Sequence, residues 1–447
     1  MSEQSKDSAK LIKESINSFV QQVDGLADAA PVVKLVLDAS VSHSQRRLDA
    51  LINNDVVEKK KNDDGSYRVV MQSDAIAKVI RASKKCGASA IARQLVSRSF
   101  LVALISQYDA FLGNLIRFMY SARPEMLRGS ERTMTYSQLC DFSCLDDACK
   151  AIVDKEVDAV LRKNHADQIS WLETKLDIVL TQDVAHWPEF IEITERRNLF
   201  VHTDGRVSDQ YLSNCKKHKV KFGKDRATGD VLECDGAYLR RARAVVFEIG
   251  VKLGHTMWRK LLKSDIEAAD FHLNTIAYEL IKRHEYDLAI TILQFGLDQK
   301  RHFSEKSRLF FLINLAQAYK WSGNDQRCHE LLGIEDWDAR SNDLLLAATV
   351  LKNEFDEALR VMEEIGANSE NVDTGAYREW PVFREFRKDP RFAEKFEDLF
   401  HEKLVIEEEN EEIQTLHDLS EYVVNASANG SESSTAVVKE PVNESRS

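Results

Sequence analysis

The chain has 447 residues, enough for two or three domains, and 43% of them are hydrophobic, an ordinary globular share. Six prolines and 17 glycines are few, and both residues are poor in helix interiors, so the composition predicts an all-α protein. The net charge of −12 argues against a chain that is basic throughout. The charge is uneven, however: residues 401–447 hold eleven acids and three bases, whereas Lys216, Lys217, Lys219, Lys221, Lys224 and Arg226 crowd one short stretch. There is no run of 18 apolar residues, so no membrane span is expected. The opening MSEQSKDSAK carries no apolar signal segment, and the seven scattered cysteines suit a reducing compartment. Together these features predict a cytoplasmic protein.

Residues 1–87 read as an N-terminal helical region with one interruption, KKKNDDGSY (59–67), whose charge and Asp-Gly predict a loop or turn. From Ala88 a helical stripe begins, with Leu101, Leu104, Ile105, Tyr108, Phe111, Leu112, Leu115 and Met119 at helical spacing. It ends near Pro124, which biases Arg123 away from helix. Further helices are predicted in residues 135–163, 169–180 and 186–202, the last with Pro188 in its first turn. That helix should stop at Thr203-Asp204-Gly205, where glycine supplies the left-handed conformation. Residues 218–235 alternate around a Thr-Gly-Asp turn and predict one extended loop or hairpin insertion. A long amphipathic helix then returns over 238–262.

Past residue 263 the pattern changes to helix pairs, over 274–297, 311–332 and 344–366. Tyr286 and Ala289, Tyr319 and Gly323, Phe355 and Ala358 resemble the marker positions of tetratricopeptide repeats of roughly 34 residues. Residues 380–400 resemble the segment that closes such arrays. One pair cannot bury its own face, so a short stacked α-solenoid is expected over 263–402. The tail, 403–447, is acidic and poor in apolar residues and is expected to stay disordered.

The segment ITERRNLFVHTDG (193–205) carries Arg197, Asn198 and His202. Arginine offers a planar fork of donors that fits a phosphate, and histidine exchanges a proton near neutral pH. Asn198 and His202 are four apart and share a helix face. Arg197 and His202 are five apart, about 140° around the axis, and do not. A second copy related by a two-fold axis would supply the missing half, so a homodimer is expected. These groups suffice to cut RNA by attack of its own 2′-hydroxyl without a metal or cofactor. His202 would act as acid or base, and Arg197 would stabilise the transition state.

RRNLFVHTDGRVSDQYL resembles the signature of the HEPN (higher eukaryotes and prokaryotes nucleotide-binding) ribonucleases, and residues 90–262 resemble that family's helical frame. The resemblance implies a helical bundle spanning 88–262 that dimerises, with Arg197, Asn198 and His202 of two copies facing one cleft. It also implies endoribonuclease activity and a role in bacterial toxin or antiviral systems. The alternative within the family is a non-catalytic dimerisation module displaying the repeats, or a nucleotide sensor. One subgroup has a modified tyrosine two residues after the histidine. Asp204 stands there in this chain, so that control is not implied.

Asp109 lies on the first long helix, where an acid could orient Arg197 or His202, with a plain helix-surface carboxylate as the other reading; Glu195 and Arg196 flank the motif as solvated residues, with Glu195 a candidate supporting group. Lys216, Lys217, Lys219 and Lys221 are candidate RNA-phosphate contacts, with a solvated loop as the plain reading. Cys215, His218 and Cys234 lack a fourth ligand for zinc, so no metal site is expected. The repeats are expected to bind a protein or peptide regulator.

Overall fold

A computed structural model describes residues 3–61, 67–71, 73–129, 133–181, 184–223, 225–367 and 372–405. The protein is all-α, with a single two-stranded ribbon among the described residues. Helix α1 spans Glu3–Asp55 and α2 spans Ser73–Ala122, with antiparallel strands β1 (Val56–Lys61) and β2 (Tyr67–Met71) between them. The interruption expected as a loop over 59–67 is therefore built partly into strands. Val56 and the Val69-Val70 pair supply the β-branched character that favours them.

Helices α3 (Tyr136–Cys140), α4 (Leu145–Leu161), α5 (His165–Leu176), α6 (Trp187–His202), α7 (Asp209–Lys217) and α8 (Gly236–Leu261) follow. Then come the pairs α9 (Ile266–Lys282) with α10 (Tyr286–Leu297), α11 (Glu305–Trp321) with α12 (Asp325–Leu332), and α13 (Asn342–Leu351) with α14 (Phe355–Ile365). Short α15 (Thr374–Glu379) and α16 (Pro390–Phe400) close the order. Helix α11 packs against both α9 and α13, so the pairs form one continuous stack. Their first helices begin at Ile266, Glu305 and Asn342, a longer repeat than the roughly 34 residues of a tetratricopeptide unit.

The chain divides into two compact units. Of the described residues, one comprises those within 3–26, 101–233 and 237–405; the other comprises those within 27–100 and 234–236. The boundary expected between residues 87 and 88 thus falls inside α2, and the first turns of α1 belong to the same unit as the repeats. The packing explains this. Phe19 of α1 stacks on Phe111 of α2 with centroids 4.4 Å apart. A Cβ on Gly250 of α8 would sit 2.3 Å from the Phe19 ring, so only glycine admits α1 this closely. All eight apolar positions of the α2 stripe are buried. Helix α2 is the one described helix whose length and composition would let it cross a membrane, and within the first unit it is a core helix.

In the second unit, residues of α1 and α2 pair antiparallel. Cys86 Sγ donates to Gln45 Oε1 (3.0 Å) and Arg93 meets Asp38 at 3.2 Å, so ascending one helix descends the other. The acidic tail lies outside the described residues from 406 onward.

Candidate functional site

Helix α6 carries the motif, and its seating decides what each side chain does. Pro188 stands in the first turn, where its missing N–H costs nothing. Trp187 stacks on Phe190 (5.5 Å), and Phe190 meets the Tyr108 ring of α2 edge-on at 4.9 Å. The helix ends at His202. Gly205, at φ +80°, then donates its N–H to the Leu199 carbonyl (3.0 Å) and closes the end as the sequence predicts.

Arg196 is buried, not solvated as its sequence context suggested. Its Nε donates to Glu192 Oε1 (2.7 Å) and its Nη1 to the Glu233 carbonyl (2.9 Å), while its guanidinium lies 3.9 Å from the Tyr238 ring centroid. Tyr211 and Tyr238 each donate a hydroxyl to Glu192 at 2.7 Å. Burial and the adjoining Glu192 carboxylate push the Tyr211 hydroxyl far above the usual range, so it stays a donor. This closed network fastens α6 to α7 and α8.

Arg197 points elsewhere. Its Nη2 lies 3.6 Å from Asp109 Oδ2 on α2, and its Nη1 donates to Asn198 Oδ1 (3.1 Å). Its Nε is buried without a hydrogen-bond partner. The other oxygen of Asp109 meets His165 Nε2 of α5 at 3.0 Å, so one carboxylate bridges a buried histidine and the motif arginine. His165 was not singled out from the sequence. It begins a helix capped by Asn164, and nothing in HADQISW marks it as the neighbour of a residue 56 positions away. Glu195 is half-buried. Burial raises its carboxyl pKa, and the Asn214 side chain and the His165 charge offset part of that rise.

His202 stands exposed in the last turn. Five residues of helix separate it from Arg197, about 140° of arc, so one copy does not bring the two onto one face. The basic run divides. Lys216 and Lys217 are exposed on the last turn of α7, where the helix dipole favours them; Lys219 follows at φ +59°, and Lys221 is exposed in the loop. Lys224 lies outside the described residues. Helix α7, where the sequence predicts no element, packs on α6. His218 at its end meets Trp187 edge-on (6.4 Å), and burial with the Lys217 charge lowers its pKa. Lys216 and Lys217 thus stand next to His218 near the start of α6, whereas Lys219 and Lys221 flank Val220, which packs with Phe222 against the Leu199 and Tyr211 cluster.

Among the described residues of the insertion over 218–235 no strands pair, and a bridge joins Arg206 to Val231. Cys215 is packed with Leu199, Val207, Tyr211 and Leu232, and burial pushes its thiol up to about 12. Among the described residues no group of three His, Cys, Asp or Glu side chains is arranged to hold a metal. A cavity of about 620 Å³ bordered by His186, Glu248, Lys252 and Phe295 touches Trp187 but none of the motif residues. In comparisons with known proteins no family model matches this chain, and no curated protein and no solved structure matches it significantly.

Proposed function

We propose that this chain is a metal-independent endoribonuclease of the HEPN type, working in the cytoplasm as a homodimer within a bacterial toxin or antiviral system. One observation carries the reading. Arg197, steadied by Asp109 and Asn198, and His202 lie about 140° apart on one helix, so each copy offers half of a site. Two copies of α6 meeting across a two-fold axis would place the arginine of one opposite the histidine of the other.

The chemistry needs no added group. The 2′-hydroxyl of RNA attacks the adjacent phosphorus, the bond to the 5′-oxygen breaks, and a 2′,3′-cyclic phosphate remains. His202 of one copy takes the 2′-proton and His202 of the other returns one to the leaving oxygen. Arg197 faces the non-bridging oxygens, where charge builds, and Asn198 donates to the same phosphate or steadies the imidazole. Lys216, Lys217, Lys219 and Lys221 would guide the strand along α7 by phosphate contacts. None of the seven cysteines is joined in a disulfide, in keeping with a reducing compartment. The helix pairs supply a docking surface for a protein or peptide regulator. A groove of about 240 Å³ bordered by Asn274, Tyr278, Phe310 and Asn314 suits that role.

The experiment is RNA cleavage in EDTA by wild type and His202→Ala, with the oligomeric state of both measured. Loss of the acid–base group should slow cleavage by roughly 10²–10⁴-fold while the dimer persists. Full activity in His202→Ala would discard the catalytic reading.

A further inference from the structure

Among its described side chains the second unit shows no closed core of its own. Among residues 27–100 with described side chains, only Ser44, Ala75 and Arg98 are buried. The side of α2 that faces α1 is made of small and polar residues: Ala75, Val79, Ala82, Cys86 and Ser89 recur at alternating steps of four and three. That is the period of a paired-helix seam, and the Cys86–Gln45 hydrogen bond lies in it.

The large aliphatics of α2 point the other way. At 100° per residue, Ile76, Ile80, Ile91 and Leu95 fall within roughly 100° of arc, nearly opposite the seam. They are 46, 51, 59 and 51% exposed. Lys78, Arg81, Lys84 and Lys85 are exposed on the same helix, and residues 73–100 hold six bases against one acid, Asp74. An apolar stripe edged by bases and left uncovered marks a docking face.

The sequence of this chain contains a matching segment. Residues 408–424, EENEEIQTLHDLSEYVV, hold six acids and neither lysine nor arginine. Ile413, Leu416, Leu419 and Val423 recur in it at helical spacing. We propose that residues 408–424 dock within their own chain on the outer face of α2 between Ile76 and Leu95. The aliphatic side chains would cover the stripe, and the carboxylates would face the lysines and arginines beside it. A second copy of α2 is a poor occupant, because it would set one basic face against another. A tethered acidic segment also acts at high effective concentration, ahead of free partners.

The test uses the full chain and no cleavage assay, so its outcome is separate from the ribonuclease reading. A zero-length carbodiimide joins lysine amines to carboxylates in contact, and amide hydrogen exchange reads protection of 408–424. Links from Lys84 or Lys85 to acids between Glu408 and Glu421 are expected within single chains in a mixture of isotope-labelled and unlabelled protein. Tail amides should exchange on the order of tenfold slower than in a free peptide. Both signals should vanish in an Ile80→Glu, Ile91→Glu double variant of unchanged helix content. Free-peptide exchange in the tail, links only between differently labelled chains, or protection of Ile76–Leu95 only on adding phosphatidylserine vesicles would overturn the proposal.

Discussion

A 100° turn of α6 separates Arg196 from Arg197. Arg196 is 9% exposed and ion-paired with Glu192, itself 7% exposed, under two tyrosine hydroxyls. Removing it strands a buried carboxylate, so Arg196→Ala should cost about 3–5 kcal/mol of stability. Arg197 is 23% exposed and pairs with a carboxylate that keeps His165 as a partner. Arg197→Ala should cost about 1 kcal/mol or less and abolish cleavage if the proposed chemistry holds. Denaturant midpoints of the two variants decide this; equal losses would mean that the helix faces are misassigned. The sequence distinguishes the two arginines only through phase. Helical spacing from Leu199 puts Arg196 on the inner side, but an arginine there reads as solvated unless Glu192, Tyr211 and Tyr238 are known to converge on it. Asp109 was legible as an acid on the right helix. His165 was not, because its tie to Asp109 is a long-range contact without a local signature.

The last turn of α6, which holds His202, is set by its stop signal. Asp204 at φ +53° and Gly205 at φ +80° reverse the chain, and a Cβ on Gly205 would lie 3.0 Å from the Phe200 ring and 3.1 Å from the Leu232 carbonyl. Alanine meets both a disfavoured backbone and a crowded site. Gly205→Ala should therefore lower stability by about 1 kcal/mol or more and raise exchange of the amides near His202. A variant as stable as wild type, with the same exchange, would show that the turn tolerates a side chain. This stop was readable because glycine after a periodic run has a local cause. Helix α7 was not, since DQYLSNCKK shows only Tyr211, Leu212 and Cys215 as apolar anchors. Its existence rests on packing against Leu199, Val207 and Leu232. Propensity could not supply that.

The join between bundle and repeats shows what patterning could and could not convey about the whole molecule. The eight-residue stripe of α2 and the helix pairs past 263 follow from periodicity alone. That the first turns of α1 reach both elements does not, because the contacts join residues far apart in sequence, Phe19 with Phe111 and Asn17 with His272. His272 of α9 lies with Nε2 2.8 Å from Asn17 Oδ1 of α1 and Nδ1 3.1 Å from His255 Nε2 of α8. If Asn17 accepts, His272 accepts in turn from His255, and His255 Nδ1 is left as a buried nitrogen without a partner. A proton added there has no acceptor. Burial, with the Lys13 charge, lowers the His272 pKa to about 4, and burial with His272 and Arg259 drives His255 well below its usual value. In the unfolded chain both titrate near 6.5. As pH falls below that value, the unfolded state binds protons that the native state refuses, so stability is full above about 6.5 and declines beneath it. For His272 the loss reaches about 2 kcal/mol at pH 5, before most carboxylates titrate, and His255 adds in the same direction. Unfolding free energies at pH 7.5, 6.5, 5.5 and 5.0 should trace this decline. His272→Gln should start from a lower value and fall less steeply over the same range. Parallel curves for the two proteins would remove the histidine pair as the acid-sensitive joint between α1, α8 and α9.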